Sequence, residues 1–162
     1  MTGLAERETL ADYLQAIREA AIGADEAIAA LGRLPDMADG LARFDAGRRL
    51  ASRALLKSIE QMQDLLARAV RVVLILEQVD LTGLSPRAIA DAAEKLGMIP
   101  DGDEWAALVR LRNELVHEYP LSPDQRLARL RDAWRATTGL RHVQASLETY
   151  VRNNSILGDA DG

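Results

Sequence analysis

The chain of 162 residues contains no cysteine, which excludes disulfides, thiolate metal sites and cysteine nucleophiles. It has only two histidines, His117 and His142, which lie too far apart in the sequence to suggest a zinc site. The longest strongly apolar run, VVLIL at 72–76, is far too short to span a membrane. The N-terminal sequence MTGLAERETL is too polar for a secretory signal. We therefore expect a cytoplasmic protein with neither a metal nor a cofactor.

The common catalytic motifs are also missing. The sequence has no GxSxG nucleophile elbow, no GxxxxGK[ST] phosphate loop and no HExxH zinc motif. A formal net charge of -5 argues against a protein that coats nucleic acid through general basicity. Arginines nevertheless outnumber acids in the C-terminal third. A local basic surface is therefore one interpretation, and a solvated helix face with ion pairs is the other.

Two long stretches of the sequence have the periodicity of amphipathic helices. Apolar residues recur at alternating spacings of three and four across residues 4–32. The same pattern runs from a point after Gly40 to near Asp80. Apolar residues cover all sides of the second helix at 72–76, so we expect that segment to be buried in the core or against a second subunit.

Capping signals predict two further helices in the middle of the chain. Ser85 is a suitable N-cap for a short helix that ends at Gly97, where glycine suits the left-handed residue after a helix. Asp101 and Glu104 have the spacing of a capping box. They predict a fourth helix over about 103–119, which the following proline ends.

The last predicted helix opens with a capping box at Ser122 and reaches about residue 150, with a break or bend near Gly139. No stretch shows the alternation of a strand. The prediction is a single all-α domain over residues 1–152, an antiparallel four-to-five-helix bundle, followed by a frayed tail at 153–162. The long apolar stripes suit packing in a two-fold dimer, and an intramolecular core explains them as well.

The fourth helix carries polar residues that packing does not obviously explain, within LRNELVHEYP at 111–120. At about 100° per residue, Arg112 and Tyr119 fall on the apolar stripe of this helix and interrupt it. An arginine there is unfavourable unless an anionic or hydrogen-bonding group meets it. Asn113 lies one turn before His117, so its amide is able to orient the imidazole.

These side chains suit the cleavage of RNA. Arginine N–H groups fit phosphate oxygens and the charge that develops on a pentavalent phosphorane. Histidine can take a proton from a ribose 2′-OH or give one to the leaving 5′-oxygen. No metal is needed because the nucleophile belongs to the substrate. A two-fold dimer with apposed seams would bring two copies of Arg112 and His117 into one cleft.

A structural interpretation of the same residues remains open. Arg112 could pair with Glu104 or with an acid of the last helix. Asn113 could cap or bridge, and Tyr119 could be an ordinary aromatic residue at a helix end. His117 would then be a satisfied interface histidine. The second histidine of the chain has no recognisable companion and is interpreted as a surface or interface residue.

The segment RNELVHEY, residues 112–119, resembles the R-x4-H-x-Y motif of HEPN-domain proteins. It is most similar to the motif of the HepT toxins, in which R-N-x-x-V-H-x-Y is the commonest form. The preceding segment VDLTGLSPRAIADAAEKLGMIPDGDEWAALVRL, residues 79–111, resembles the short helix, leucine-glycine turn and start of the motif helix in that family. The specific similarity covers residues 79–120, and the N-terminal half resembles the family only as long helices.

The resemblance implies a HEPN-like, dimeric, metal-independent endoribonuclease toxin of a type VII-like (MntA/HepT) toxin–antitoxin pair. It implies that Arg112 and His117 are catalytic, with Asn113 supporting them in the same site. It also implies that Tyr119 accepts AMP from a separate partner, a cognate minimal nucleotidyltransferase antitoxin that silences the toxin. RNA binding would depend on local arginines such as Arg110. The alternatives are a non-catalytic helical adaptor or substrate-binding partner of such a nucleotidyltransferase, and a plain dimeric bundle with a chance motif.

Overall fold

The computed structural model describes residues 2–158, which fold into an all-helical bundle with no strand in that range. This confirms the prediction of an all-α fold. The described part of the chain has no helix that is long and apolar enough to cross a membrane. The helices are α1 (Thr2–Leu31), α2 (Ala46–Leu76), α3 (Pro86–Leu96), α4 (Gly102–His117) and α5 (Pro123–Asn153), with a 3₁₀ helix (Ala38–Arg43) between α1 and α2.

The three long helices form the body of the bundle, in which α1 runs antiparallel to both α2 and α5. Gly3 near the start of α1 approaches Leu76 at the end of α2. Arg18 of α1 binds Glu148 of α5 at 3.1 Å. Each leucine-sized side chain that this arrangement buries stabilises the fold by about 2 kcal/mol. The fully buried large side chains of these helices are Leu10, Ile17, Leu31, Leu55, Ile59, Met62, Leu66, Leu74, Leu140 and Leu147.

The two short helices, α3 and α4, cover one side of this body and begin where the sequence predicts. Ser85, before α3, accepts a hydrogen bond from the backbone of the third residue after it. Ser122, before α5, forms the complete capping box that the sequence predicts. Asp101 caps α4 by accepting from two backbone N–H groups at 2.7 and 3.1 Å. Glu104 does not return the bond expected of a capping box, because its carboxylate lies against Gly139 of α5 instead.

Gly139 does not break α5, which is one continuous helix from Pro123 to Asn153. The predicted break at this residue was therefore wrong. A Cβ added at Gly139 would lie 2.9 Å from Glu104 Oε1 and 3.6 Å from both methyl groups of Leu108. The glycine therefore allows α4 to approach α5 closely.

The chain after α5 packs against the bundle as far as the structure describes it, and the frayed tail from Asn153 stays a prediction. A turn follows the helix, and Ile156 is buried against the core. The Ile156 amide donates to the carbonyl of Val151 at 3.0 Å, and its own carbonyl accepts from Arg7 Nε at 2.9 Å. An apolar side chain and a partnered backbone explain the order. The rest of the predicted tail, residues 159–162, lies outside the described residues.

The segment 72–76 is enclosed on most sides but not on all of them. Val73 and Leu74 are buried, whereas Ile75 faces solvent. The expectation of complete burial within one chain is therefore only partly met.

Candidate functional site

The motif helix α4 ends at His117, two residues earlier than predicted. Glu118 is already extended, with φ -112° and ψ 121°. Pro120 disfavours helical geometry in Tyr119, the residue before it, and so prevents the helix from continuing. The prediction that Tyr119 lies on the apolar seam was therefore wrong. Tyr119 stands on the segment after the helix with 85% of its surface exposed.

Arg129 of α5 fixes the end of this helix. Its Nη1 donates to the carbonyl of Glu114 at 2.9 Å and to the carbonyl of Glu118, and its Nη2 binds the Glu118 carboxylate at 3.0 Å. The Glu114 carbonyl also accepts from the Glu118 N–H at 3.0 Å, so Arg129 adds a second donor there, and a cation at this end of a helix interacts favourably with the helix dipole. Sequence reasoning missed this residue, because nothing in its spacing distinguishes it from the other arginines of α5.

Arg112 is held by Asp64, an acid on α2. The distance from Arg112 Nη2 to Asp64 Oδ1 is 2.9 Å, and Nη1 donates to Asn113 Oδ1 at 3.2 Å. The Arg112 Nε–H is buried and has no partner among the described residues. The sequence predicts that Arg112 on the apolar seam needs an anionic partner, and Asp64 is that partner. The suggested partners, Glu104 and the acids of the last helix, were wrong.

The predicted contact between Asn113 and His117 is not formed. The Asn113 oxygen accepts from Arg112, and within residues 2–158 no hydrogen bond or ion pair reaches the exposed His117 imidazole. His117 and Arg112 are five residues apart, which places them about 140° apart around the helix and about 7.5 Å apart along its axis. Within one chain, the guanidinium therefore faces α2 while the imidazole faces solvent.

Arg110 shares the exposed side of α4 with His117, since seven residues bring the helix almost back to the same angle. It lines a depression of about 360 Å³ between α4 and α5. Arg135 lies in the same depression, together with three acids: Glu104, Glu114 and Asp132. The local charge is therefore mixed rather than basic.

Many α5 arginines hold the fold together instead of forming a free basic surface. Arg131 donates to the carbonyls of Pro35 and Asp36 at 2.9 and 2.8 Å. Arg141 reaches Asp25 of α1. These arginines therefore fit the interpretation of the arginine-rich segment as a helix face with ion pairs and backbone contacts, and not the interpretation as a basic surface.

His142, the second histidine, is exposed on α5 and makes no hydrogen bond within residues 2–158. It lines a shallow depression of about 420 Å³ near Tyr150. Burial, and then the hydrogen bond to Glu77, raise the pKa of the Tyr150 hydroxyl above its ordinary value. In the described part of the chain, no group of three or more His, Asp or Glu side chains could hold a metal ion.

No family model, curated protein or solved structure matches this chain. The arrangement consists of an anchored guanidinium, an amide bonded to it and an exposed imidazole, all within one and a half turns of one helix.

Proposed function

We propose that this protein is a metal-independent endoribonuclease of the HEPN type and the toxin of a type VII-like toxin–antitoxin pair. The observation that carries the proposal is the arrangement at the end of α4. Asp64 and Asn113 hold the Arg112 guanidinium in place, and His117 at the same helix end is exposed and free to meet a substrate.

The proposed reaction is an attack of the ribose 2′-oxygen on the adjacent phosphorus. One imidazole removes the 2′-OH proton, and a second gives a proton to the 5′-oxygen as the P–O5′ bond breaks. The products are a 2′,3′-cyclic phosphate and a free 5′-OH. The N–H donors of Arg112 stabilise the extra negative charge on the phosphorane oxygens.

The reaction needs two imidazoles in one site, which a two-fold dimer of this chain supplies. The surface around His117 supports such a dimer. Val116 and Leu121 are apolar residues with 40% and 85% of their surfaces exposed. Exposed apolar residues that cluster in this way are typical of an interface. The partner copy would also bring its own guanidinium toward the His117 side of the cleft.

Tyr119 is the proposed acceptor of AMP from a cognate minimal nucleotidyltransferase. Its side chain makes no hydrogen bond within residues 2–158, so the phenol is accessible to a modifying enzyme. AMP attached there would place a bulky phosphate diester two residues from His117. Its negative charge would repel the RNA backbone and silence the nuclease.

The experiment that tests the nuclease is cleavage of total RNA in EDTA. The purified protein is first shown by intact mass to be unmodified at Tyr119. We expect His117→Ala and Arg112→Ala to lose at least about a hundredfold in rate, with the fold and dimer retained. His142→Ala is the matched control and should cleave like the wild type. Cleavage by His117→Ala at the wild-type rate would show that the assignment is wrong.

A second candidate function is a helical adaptor that binds the nucleotidyltransferase without cleaving RNA. The observation that favours it is that Asp64 already neutralises Arg112, as a purely structural arginine requires. An inert but folded and unmodified wild-type protein would support it. Substitution of Arg112 would then lower stability or partner affinity instead of activity.

A further inference from the structure

A cleft of about 240 Å³ lies beside Arg112, between α2, α3 and α4. Both apolar and polar side chains line it. The apolar lining includes Val70, Ile89, Ile99, Trp105 and Val109. The polar lining consists of Gln63, Asp64, Arg71, Arg112 and Asn113.

Gln63 is the unusual residue of this cleft. Its side chain is only 4% exposed, yet its amide makes no hydrogen bond with any residue in 2–158. The Arg112 Nε–H in the same cleft is buried and finds no partner within residues 2–158. A buried donor without a partner is unfavourable, so a ligand that accepts from it would relieve a cost that the protein bears when the cleft is empty.

The chemistry of the cleft suits a nucleobase. A glutamine amide presents a donor beside an acceptor, which matches the edge of a base in two hydrogen bonds. Trp105 and the aliphatic wall offer apolar contact to the faces of the ring. The volume lies below the range of about 300–1,000 Å³ that is usual for drug-sized ligands, which favours a single base over a larger group.

Arg71 gives the cleft a place for phosphate. It is exposed at the rim and forms no ion pair or hydrogen bond through its side chain in the described part of the chain. It stands two turns after Asp64 on the same face of α2. A free guanidinium beside a base-sized cleft matches one nucleotide in both charge and size.

We propose that this cleft binds one nucleotide of a single-stranded RNA. Gln63 bonds to the edge of the base, and Arg71 holds the adjoining phosphate. The site rests on the proposed function, because Arg112 borders both the cleft and the proposed cleavage site. It would determine which base lies next to the bond that is cut.

The test is binding of fluorescein-labelled octauridylates in which one central nucleotide is varied among the four bases. Fluorescence anisotropy gives the dissociation constants in EDTA, in a His117→Ala background that prevents cleavage. We expect roughly tenfold preference for one base, which Gln63→Leu abolishes. Gln61→Leu is the matched control, an exposed glutamine two positions earlier on α2, and should keep the preference.

The phosphate contact is tested with Arg71→Ala, which should weaken binding of all four oligonucleotides to a similar extent. Arg53→Ala is its control, since Arg53 is exposed on the same face of α2 about 27 Å away. Gln63→Leu is expected to fold, because the Gln63 amide makes no hydrogen bond within residues 2–158 that the substitution would break. Thermal unfolding checks this, and Gln63→Met serves as a second variant of similar length.

Preference retained by both Gln63 variants, or no preference in the parent, would overturn the base site. Tight binding of free mononucleotides without binding of the octamers would assign the cleft to soluble nucleotides and overturn the RNA proposal. The two proposals fail separately. Cleavage by the wild type without any base preference in binding would overturn only the proposed base site. Base-selective binding by a wild-type protein that does not cleave RNA would overturn only the proposed nuclease.

Discussion

Replacing Asp64 by alanine changes how the Arg112 guanidinium is held without removing the guanidinium itself. The variant keeps the arginine and removes the carboxylate that lies 2.9 Å from it. Water reaches both partners, since 23% of the Arg112 side chain and 42% of the Asp64 side chain are exposed. We therefore expect a loss of about 1 kcal/mol in the free energy of unfolding, the value of a good exposed pair, and not the roughly 3–5 kcal/mol of a fully buried one.

The expected effect on RNA cleavage is larger than that stability loss. Without Asp64, the guanidinium keeps only its bond to the neighbouring Asn113 and is free to turn toward solvent. A misplacement of about 1 Å in a catalytic group is able to reduce the rate by about a hundredfold. The variant should therefore remain folded at 25 °C and lose between about ten and a hundredfold in kcat/KM.

Urea unfolding and initial cleavage rates measure the two effects on the same preparation. Glu148→Ala is the matched control, because it breaks another interhelical pair, to Arg18 at 3.1 Å, far from the motif. It should lose a similar amount of stability and no activity. If Asp64→Ala cleaves RNA as fast as Glu148→Ala does, the anchoring of Arg112 has no role in the reaction and the reasoning is refuted.

Two further predictions concern the ends of the helices. Arg129→Ala removes the side chain that bonds to the carbonyls of Glu114 and Glu118, and should cost about 1–2 kcal/mol while accelerating amide hydrogen exchange in the last turn of α4. Unchanged exchange there would mean that the helix end needs no clamp. Desolvation and the bond to Glu77 raise the folded-state pKa of Tyr150 above its ordinary value of 10.0. The unfolded state then ionises first, so stability that is fully present below pH 10 should be lost as the pH rises through the folded-state pKa. Urea unfolding at a series of pH values should show this loss in the wild type and a smaller one in Tyr150→Phe; equal losses would contradict it.

Local signals in the sequence were sufficient to predict the helices. Ser85, Asp101 and Ser122 cap helices because their side chains bond to backbone groups two or three residues away. Gly97 ends α3 in the left-handed conformation, with φ 83°, as its position predicts. Such contacts depend on neighbours in the sequence and need no knowledge of the fold.

The contacts that define the candidate site are not local, and sequence reasoning did not find them. Asp64 and Arg112 are 48 positions apart, and several acids were compatible with the same arginine until the packing of α2 on α4 was known. Gln63 shares the apolar face of α2 with Ile59 and Val70, but the sequence analysis did not single it out, and its burial is seen only in the structure. Gly139 was predicted to break α5 because its close approach to Leu108 depends on tertiary packing, which the sequence does not reveal.

The early end of α4 connects the proposed reaction with its proposed control. If Tyr119 had continued the helix, it would have lain on the apolar seam, where the bundle would have buried its phenol. Pro120 prevents this, and Arg129 holds the chain at the point where the helix stops. The phenol therefore projects into solvent two residues beyond His117. In the proposed mechanism, that single break in the helix makes the tyrosine accessible to a transferase and keeps it close enough for its modification to block the RNA cleft.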